Sequence, residues 1–184
     1  STDLNWALTA PDIDAVWFAR GGYGTARLLQ SVPWDRLDDR PVLGFSDATA
    51  LLSAFVARGV GQGIHAPVLH SLVGLADARS REGLRRLLTK GETTALAGWQ
   101  LSGPEQTVRG PVVGGNLCVL TSLIGTPWML QGRDRIVMLE DVGEAPYRVD
   151  RMLGQLVDSG CLDGVLGIAL GQFVGCEAPA NVDW

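Results

Sequence analysis

The stretch that decides the fold lies at residues 41–52 and reads Pro41-Val42-Leu43-Gly44-Phe45-Ser46-Asp47-Ala48-Thr49-Ala50-Leu51-Leu52. Its first half is short and apolar, which predicts a buried strand over residues 42–45. Its second half contains good helix formers with an apolar face, which predicts a helix over residues 48–55. The serine between them therefore lies where a strand runs directly into a helix.

This junction is close to the nucleophile-elbow pattern G-x-S-x-G, with Ala48 in place of the last glycine. The elbow needs small residues two positions before and two after the serine, and Gly44 and Ala48 satisfy that need. In such a turn Ser46 is exposed at the end of the sheet, and the Asp47 amide can point at an oxyanion. The alternative is a helix N-cap, in which Ser46 or Asp47 simply caps the following helix.

Strand-like and helix-like segments alternate along the rest of the chain, which predicts a parallel α/β fold. Residues 1–90 are predicted to form an α/β nucleophile domain, 91–108 a polar linker, and 109–184 a second, smaller α/β or β-rich domain. Further strands are predicted at 15–19, 63–66, 135–139 and 164–173, helices at 3–8, 25–30, 82–90, 117–124 and 147–158, and a loop at 110–116.

Composition excludes several classes of protein. The 184 residues carry a formal charge of −5 and no basic stripe, which argues against a nucleic-acid binder. The sequence lacks an apolar run of membrane-spanning length, so we expect no membrane contact. Three widely spaced cysteines, Cys118, Cys161 and Cys176, indicate reduced, buried thiols in a cytoplasmic protein, with neither a disulfide framework nor a zinc site.

A glycine-rich turn, Arg20-Gly21-Gly22-Tyr23-Gly24, follows the first predicted strand and precedes a helix. Such a turn can hold a dinucleotide phosphate, but the G-x-G-x-x-G fingerprint fails because its last position is Arg27. Its free amides could instead form half of an oxyanion hole, or it could be only a tight turn.

The remaining candidate catalytic residues are three carboxylates and two histidines. Glu140 and Asp141 follow an apolar strand, where a carboxylate could orient a catalytic histidine or simply begin a loop. With Glu144 they could bind a metal in principle, but we expect none because no histidine lies near them in sequence. The two histidines, His65 and His70, are interpreted as packed or turn residues.

Several segments, in order, resemble the LD-carboxypeptidase family, the serine peptidases that trim murein tetrapeptides. The resemblance covers essentially the whole chain and is carried by 3–5 (DLN), 20–24 (RGGYG), 44–50 (GFSDATA), 114–117 (GGNL), 124–128 (IGTPW) and 139–148 (LEDVGEAPYR).

The resemblance implies a Ser-Glu-His triad in which Ser46 is the nucleophile and Glu140 the carboxylate. It implies that the amides of Asp47 and of the Gly21–Gly22 turn, with Gly22 the preferred donor, form the oxyanion hole. Tyr23 and Asn116 lie in two of the matching segments and are the expected substrate contacts. The family histidine lies on a later loop, and neither His65 nor His70 matches it. We therefore expect the 184-residue sequence to lack family segments at both of its ends.

The function this predicts is a cytoplasmic, homodimeric carboxypeptidase of cell-wall recycling that needs no cofactor and removes the terminal D-Ala from murein tetrapeptide. Two alternatives stay open at this point. One is a related microcin-C-type immunity peptidase that cleaves a peptide–nucleotide amide. The other is an α/β ligand-binding module that kept the fold and lost the catalytic base.

Overall fold

Two three-stranded sheets of parallel strands organise the computed structural model, which describes residues 2–74, 76–95 and 97–178. The first sheet contains, in spatial order, β1 (Val16–Trp17), β2 (Pro41–Gly44) and β3 (Gln62–His65). The second contains β4 (Val112–Asn116), β5 (Ile136–Val142) and β6 (Gly167–Val174). The predicted α/β fold with parallel strands is confirmed, and the second half of the chain is α/β rather than β-rich.

Helices connect these strands. In the described part of the chain they are α1 (Thr2–Thr9), α2 (Thr25–Leu28), α3 (Thr49–Arg58), α4 (Leu69–Gly74), α5 (Ala78–Lys90), α6 (Leu117–Ser122) and α7 (Pro146–Asp158). Short 3₁₀ turns occupy Leu29–Ser31, Trp34–Arg36 and Ser46–Ala48. None of the helices within the described residues has the length and apolar character needed to cross a bilayer.

Helix α3 holds the two sheets together. Its buried side chains join one core cluster that also contains Leu123 and Trp128 from the second half of the chain. The Ser53 hydroxyl donates to the Trp128 carbonyl at 2.9 Å, and the Asn116 amide donates to the Thr49 hydroxyl at 3.1 Å. The carboxyl ends of β2 and β4 are therefore fixed relative to each other by one helix.

A second cluster fills the space between the β4–β5–β6 sheet and helices α6 and α7, with Leu117, Val137, Leu139 and Leu156 fully buried. No helix or strand occurs among the described residues between α5 and β4. The boundaries at residues 90 and 109 stay a prediction.

The predicted loop at residues 110–116 is wrong, because Val112–Asn116 is strand β4. The two glycines that indicated a loop are there for another reason. Gly114 and Gly115 have φ of 123° and 141°, and a Cβ on Gly114 would lie 2.0 Å from the Met138 carbonyl oxygen. At Gly114 the neighbouring strand approaches too closely for any side chain. A Cβ on Gly115 would lie 2.7 Å from the Thr49 hydroxyl of helix α3.

Other differences are smaller. Helix α5 begins at Ala78, four residues before its predicted start, because the Asp77 carboxylate caps it by accepting from the Ser80 amide at 2.6 Å. The helix predicted at 25–30 becomes a 3₁₀ turn from Leu29, and helix α4 was not predicted. Cys118 is exposed, not buried, although all three thiols are free.

Candidate active site

Ser46 occupies a strained turn between β2 and α3. Its φ is +61°, and Ser46 and Asp134 are the two non-glycine residues with positive φ among those described. A serine in this conformation costs free energy, and such strain is typical of nucleophile elbows. The sharp turn lifts the side chain out of both the strand and the helix, so the hydroxyl is presented at the carboxyl end of the sheet.

Close packing explains the small residues on either side of Ser46. A Cβ added to Gly44 would lie 2.4 Å from the Ala48 Cβ, a distance that real Cβ atoms do not reach. The strand and the helix can therefore meet at this angle only because Gly44 has no side chain. The alanine in place of the last glycine of the motif fits, since its methyl group fills the space that Gly44 leaves.

The alternative of a side-chain N-cap is wrong. Neither the 3₁₀ turn Ser46–Ala48 nor helix α3 has a side-chain hydrogen bond at its N-terminus. The Asp47 carboxylate turns towards α2 instead, where one oxygen accepts from the Thr25 amide at 2.9 Å and from the Thr25 hydroxyl at 2.7 Å. Asp47 thus ties the end of the glycine-rich turn to the serine corner. Sequence reasoning missed this bond, because the two residues lie 22 positions apart.

The glycine-rich turn lies directly against the serine. A Cβ on Gly21 would be 3.0 Å from both Cβ and Oγ of Ser46, so only glycine leaves the hydroxyl accessible there. The amides of Gly21, Gly22 and Asp47 donate to no acceptor within the described residues. Tyr23 is 83% exposed, and its hydroxyl accepts from Arg27 at 3.0 Å.

Asp141 and Asn116 brace the start of helix α6. The Asp141 carboxylate accepts from the Asn116 side-chain amide, the Cys118 backbone amide and the Val142 backbone amide, at 2.8–2.9 Å. The Asn116 side-chain oxygen accepts from the Val119 amide at 3.0 Å, as an N-cap does. Both side chains are buried and hold the local backbone, which the sequence pattern alone did not indicate.

Glu140 stands beside Asn116 in the sheet register, and strand β5 continues through it to Val142, so it does not begin a loop. Burial raises the pKa of Glu140 to about 7, and the charge of Asp141 adds to the effect. Its Oε1 atom is buried without a hydrogen-bond partner. The carboxyl group is therefore available to a further donor.

His65, at the end of β3, lies nearest to that carboxyl group among the basic side chains, with Nε2 at 3.9 Å from Glu140 Oε1. That distance is too long for a hydrogen bond. Burial lowers the pKa of His65 to about 4, and its Nδ1 has no partner. At neutral pH the imidazole is therefore uncharged and forms no ion pair with Glu140, in line with its interpretation as a packed residue.

An open cleft of about 850 Å³ collects most of the predicted site residues. Its lining includes Ser46, Asp47, Gly22, Tyr23 and Asn116, joined by Arg20, Gly21, His70, Cys118, Asp141 and Glu144. Glu140 is not among the lining residues, and His65 lines a separate cavity of about 390 Å³. Among the described residues, no group of His, Cys, Asp and Glu side chains is arranged to hold a metal ion.

The arrangement can support acyl transfer at Ser46. A hydroxyl at a strained turn, facing two segments of unbonded backbone amides, can attack a carbonyl group and have the resulting oxyanion stabilised. Within the described residues, Ser46 forms no hydrogen bond with His65 or His70, so neither histidine is positioned as its general base.

Comparison with known proteins agrees with this geometry. The family model of the LD-carboxypeptidase N-terminal domain matches residues 1–66, and that of the C-terminal domain matches residues 109–183. The murein tetrapeptide carboxypeptidase of Pseudomonas aeruginosa is 40% identical over 187 residues, which cover 95% of this chain and 60% of that protein. A microcin C7 self-immunity protein of Escherichia coli is 26% identical over 206 residues, covering 92% of this chain and 59% of that protein.

Solved structures show the same fold. The crystal structure of muramoyltetrapeptide carboxypeptidase from Oxalobacter formigenes aligns with a TM-score of 0.83 at 34% identity, over 97% of this chain and 62% of that one. The microcin C7 self-immunity protein aligns with a TM-score of 0.79 at 23% identity, which shows the fold alone. The chain spans 58–60% of the length of three curated relatives that it matches at 40–41% identity.

Proposed function

Because the chain belongs to the LD-carboxypeptidase family, we propose that the protein containing it removes the terminal D-Ala from murein tetrapeptide by cutting an L,D peptide bond. The observation that carries this proposal is the serine corner. Ser46 has φ of +61° between a strand and a helix that only Gly44 allows to meet, and it lies against the Gly21 turn. A strained serine facing free amides is the arrangement that acyl transfer needs.

In the proposed reaction Ser46 attacks the carbonyl carbon of the last peptide bond, and its proton passes to a histidine base. The amides of Asp47 and Gly22 stabilise the oxyanion, an interaction supported by their lack of any other acceptor. The histidine then gives its proton to the leaving D-Ala nitrogen as the peptide bond breaks. Water hydrolyses the acyl-enzyme and regenerates the serine.

Glu140 is proposed to orient that base and to stabilise its charged form. The unpartnered Oε1 atom supports this role, since a carboxyl group that orients an imidazole needs a vacant acceptor. Neither His65 nor His70 matches the family histidine, and His65 is further disfavoured because it lines a different cavity from Ser46.

Tyr23 and Asn116 are proposed substrate contacts, supported by their place in the lining of the serine cleft. The exposed Tyr23 ring offers an apolar surface with a polar tip. The buried Asn116 amide already has two partners, which leaves it one donor hydrogen and one acceptor lone pair for a peptide.

We also propose a cytoplasmic setting in cell-wall recycling, a homodimeric assembly, and a reaction without cofactor. The cysteines are three in number and widely spaced, and all three are free thiols in the structure, which supports a reducing compartment such as the cytoplasm. Size-exclusion chromatography with light scattering tests the assembly.

The decisive test incubates the complete gene product with murein tetrapeptide and measures released D-Ala. Steady release, together with a covalent adduct on Ser46 after treatment with a fluorophosphonate, is the expected result. Cleavage of a peptide–nucleotide amide without cleavage of the tetrapeptide would favour an immunity peptidase instead. Binding of the tetrapeptide with neither release nor an adduct would indicate a ligand-binding module.

A further inference from the structure

Arg20 is the feature of the cleft that the roles above leave unused. It begins the glycine-rich turn, is exposed, and lines the same cleft as Ser46. The next residue, Gly21, is the one whose Cβ would lie 3.0 Å from Ser46 Oγ. The Arg20 backbone is thus one residue away from direct contact with the nucleophile.

The guanidinium of Arg20 has no hydrogen bond or ion pair within the described residues. Several other arginines are engaged. Arg40 holds Asp38 and two backbone carbonyls, and Arg27 lies over the Tyr23 ring while donating to its hydroxyl. An unengaged guanidinium at the rim of a site is prepared to bind an anion without first losing another partner.

Acidic side chains in the cleft do not compete for Arg20, because each already has partners. Asp47 accepts from Thr25, Asp141 accepts from three donors, and Glu144 pairs with Arg148 at 3.5 Å. Arg20 is the one arginine or lysine in the described lining of the cleft. An anionic group of a ligand bound near Ser46 would therefore pair most strongly with the Arg20 guanidinium.

A carboxypeptidase must recognise that the bond it cuts is the last one. The group that distinguishes the last residue is its free carboxylate, which lies one residue beyond the scissile carbonyl. Arginine suits this task, because its planar guanidinium binds a carboxylate through two parallel hydrogen bonds and keeps its charge at all relevant pH values.

We infer that Arg20 binds the C-terminal carboxylate of the substrate and so restricts Ser46 to the last peptide bond. This role rests on the carboxypeptidase activity proposed above. It also gives a function to the side chain that directly precedes Gly21, the glycine that leaves the Ser46 hydroxyl accessible.

The test uses the complete gene product with two substrates: murein tetrapeptide with a free terminal carboxylate, and the same peptide with that carboxylate amidated. Wild type should prefer the acid by about 10- to 100-fold in kcat/KM, the range that one charged hydrogen-bonded pair supplies. Arg20→Gln should lower kcat/KM for the peptide acid by that factor, mainly through a higher KM, and should change kcat/KM for the amidated peptide little. Arg20→Lys should retain part of the preference.

Arg36→Gln is the matched control, since Arg36 is also exposed and lies outside the cleft lining. It should behave as wild type on both substrates. A preference for the acid that survives in Arg20→Gln, or an equal loss on both substrates, would overturn the role of Arg20. A preference lost in His70→Gln instead would assign the anchor to His70. Failure of wild type to cleave either substrate would overturn the proposed function itself, and the role of Arg20 with it.

Discussion

The carboxyl end of β2, with Ser46, and the carboxyl end of β5, with Glu140 and Asp141, are built in different ways. The first is determined by neighbours in sequence: Gly44 and Ala48 permit the turn, and Ser46 absorbs the strain. The second depends on residues distant in sequence. Asp141 holds Asn116 and Cys118, and the basic group nearest to the Glu140 carboxylate is His65, with Nε2 at 3.9 Å from Oε1.

Because they are built differently, the two strand ends contribute different things to a reaction. The β2 end presents a hydroxyl on a strained backbone, beside amides that donate to no acceptor within the described residues. The β5 end contains one acid that is fully used in holding the backbone and one buried acid whose Oε1 is unpartnered. Removing a group from each end should therefore affect chemistry and stability in different proportions.

The largest expected effect is at the nucleophile. Ser46→Ala should lower kcat for D-Ala release by about 10⁴-fold or more, because the covalent step needs the hydroxyl. Folding should be retained, because the Ser46 hydroxyl forms no hydrogen bond within the described residues and the change removes one atom. Ser71→Ala, in the same cleft, should keep near wild-type turnover. More than a tenth of wild-type kcat in Ser46→Ala would exclude Ser46 as the nucleophile.

The next largest effects should distinguish the two acidic residues of β5 by their losses of activity and stability. Glu140→Gln should lower kcat by about 10²- to 10⁴-fold with little change in thermal stability, because it removes the charge that stabilises the imidazolium. Asp141→Asn should cost clearly less activity, but about 1–3 kcal/mol of stability, since its amide group would face backbone donors. Kinetics and melting curves measured side by side check this, and the reverse ranking of activities would assign the triad role to Asp141.

Sequence reasoning succeeded where the information was local. The strand–serine–helix junction and the parallel α/β class follow from short segments, as does the apolar strand that contains Leu139, although β5 continues past its predicted end to Val142. It failed where the cause was distant. Gly114 was interpreted as a loop residue because the Met138 backbone that excludes its side chain lies 24 positions away. The bond between Asp47 and Thr25 was missed for the same reason.

The steric requirement at the β2 end gives a smaller effect. Gly44→Ala should lower stability by about 1–3 kcal/mol, because its methyl group would overlap the Ala48 Cβ, and it should also reduce activity by displacing Ser46. Gly154→Ala is the control. Gly154 lies within helix α7 with nothing within 4 Å of an added Cβ, so that change should leave stability equal or higher by up to about 1 kcal/mol. Denaturant titration that ranks the two variants equally would show that the elbow has room for a side chain.

The smallest expected effect is a pair of opposite pH dependences at the β5 end. The pKa of His65 falls from 6.5 to about 4 on folding, so its contribution to stability is lost as the pH decreases from 6.5 towards 4. The pKa of Glu140 rises from 4.5 to about 7, so its contribution is lost as the pH increases from 4.5 to 7. Between pH 4.5 and 6.5 the two slopes oppose each other in the wild type.

Single variants should separate those slopes. Relative to the double variant His65→Gln/Glu140→Gln, the Glu140→Gln protein should become less stable on acidification from pH 6.5 to 4.5, and the His65→Gln protein more stable. Each change should be of order 1 kcal/mol, because partial exposure of His65 and penetration of water reduce the full effect of the pKa change. Denaturant titrations at three pH values measure both slopes. Equal signs in the two single variants would mean that burial does not hold at least one of these two groups in its neutral form.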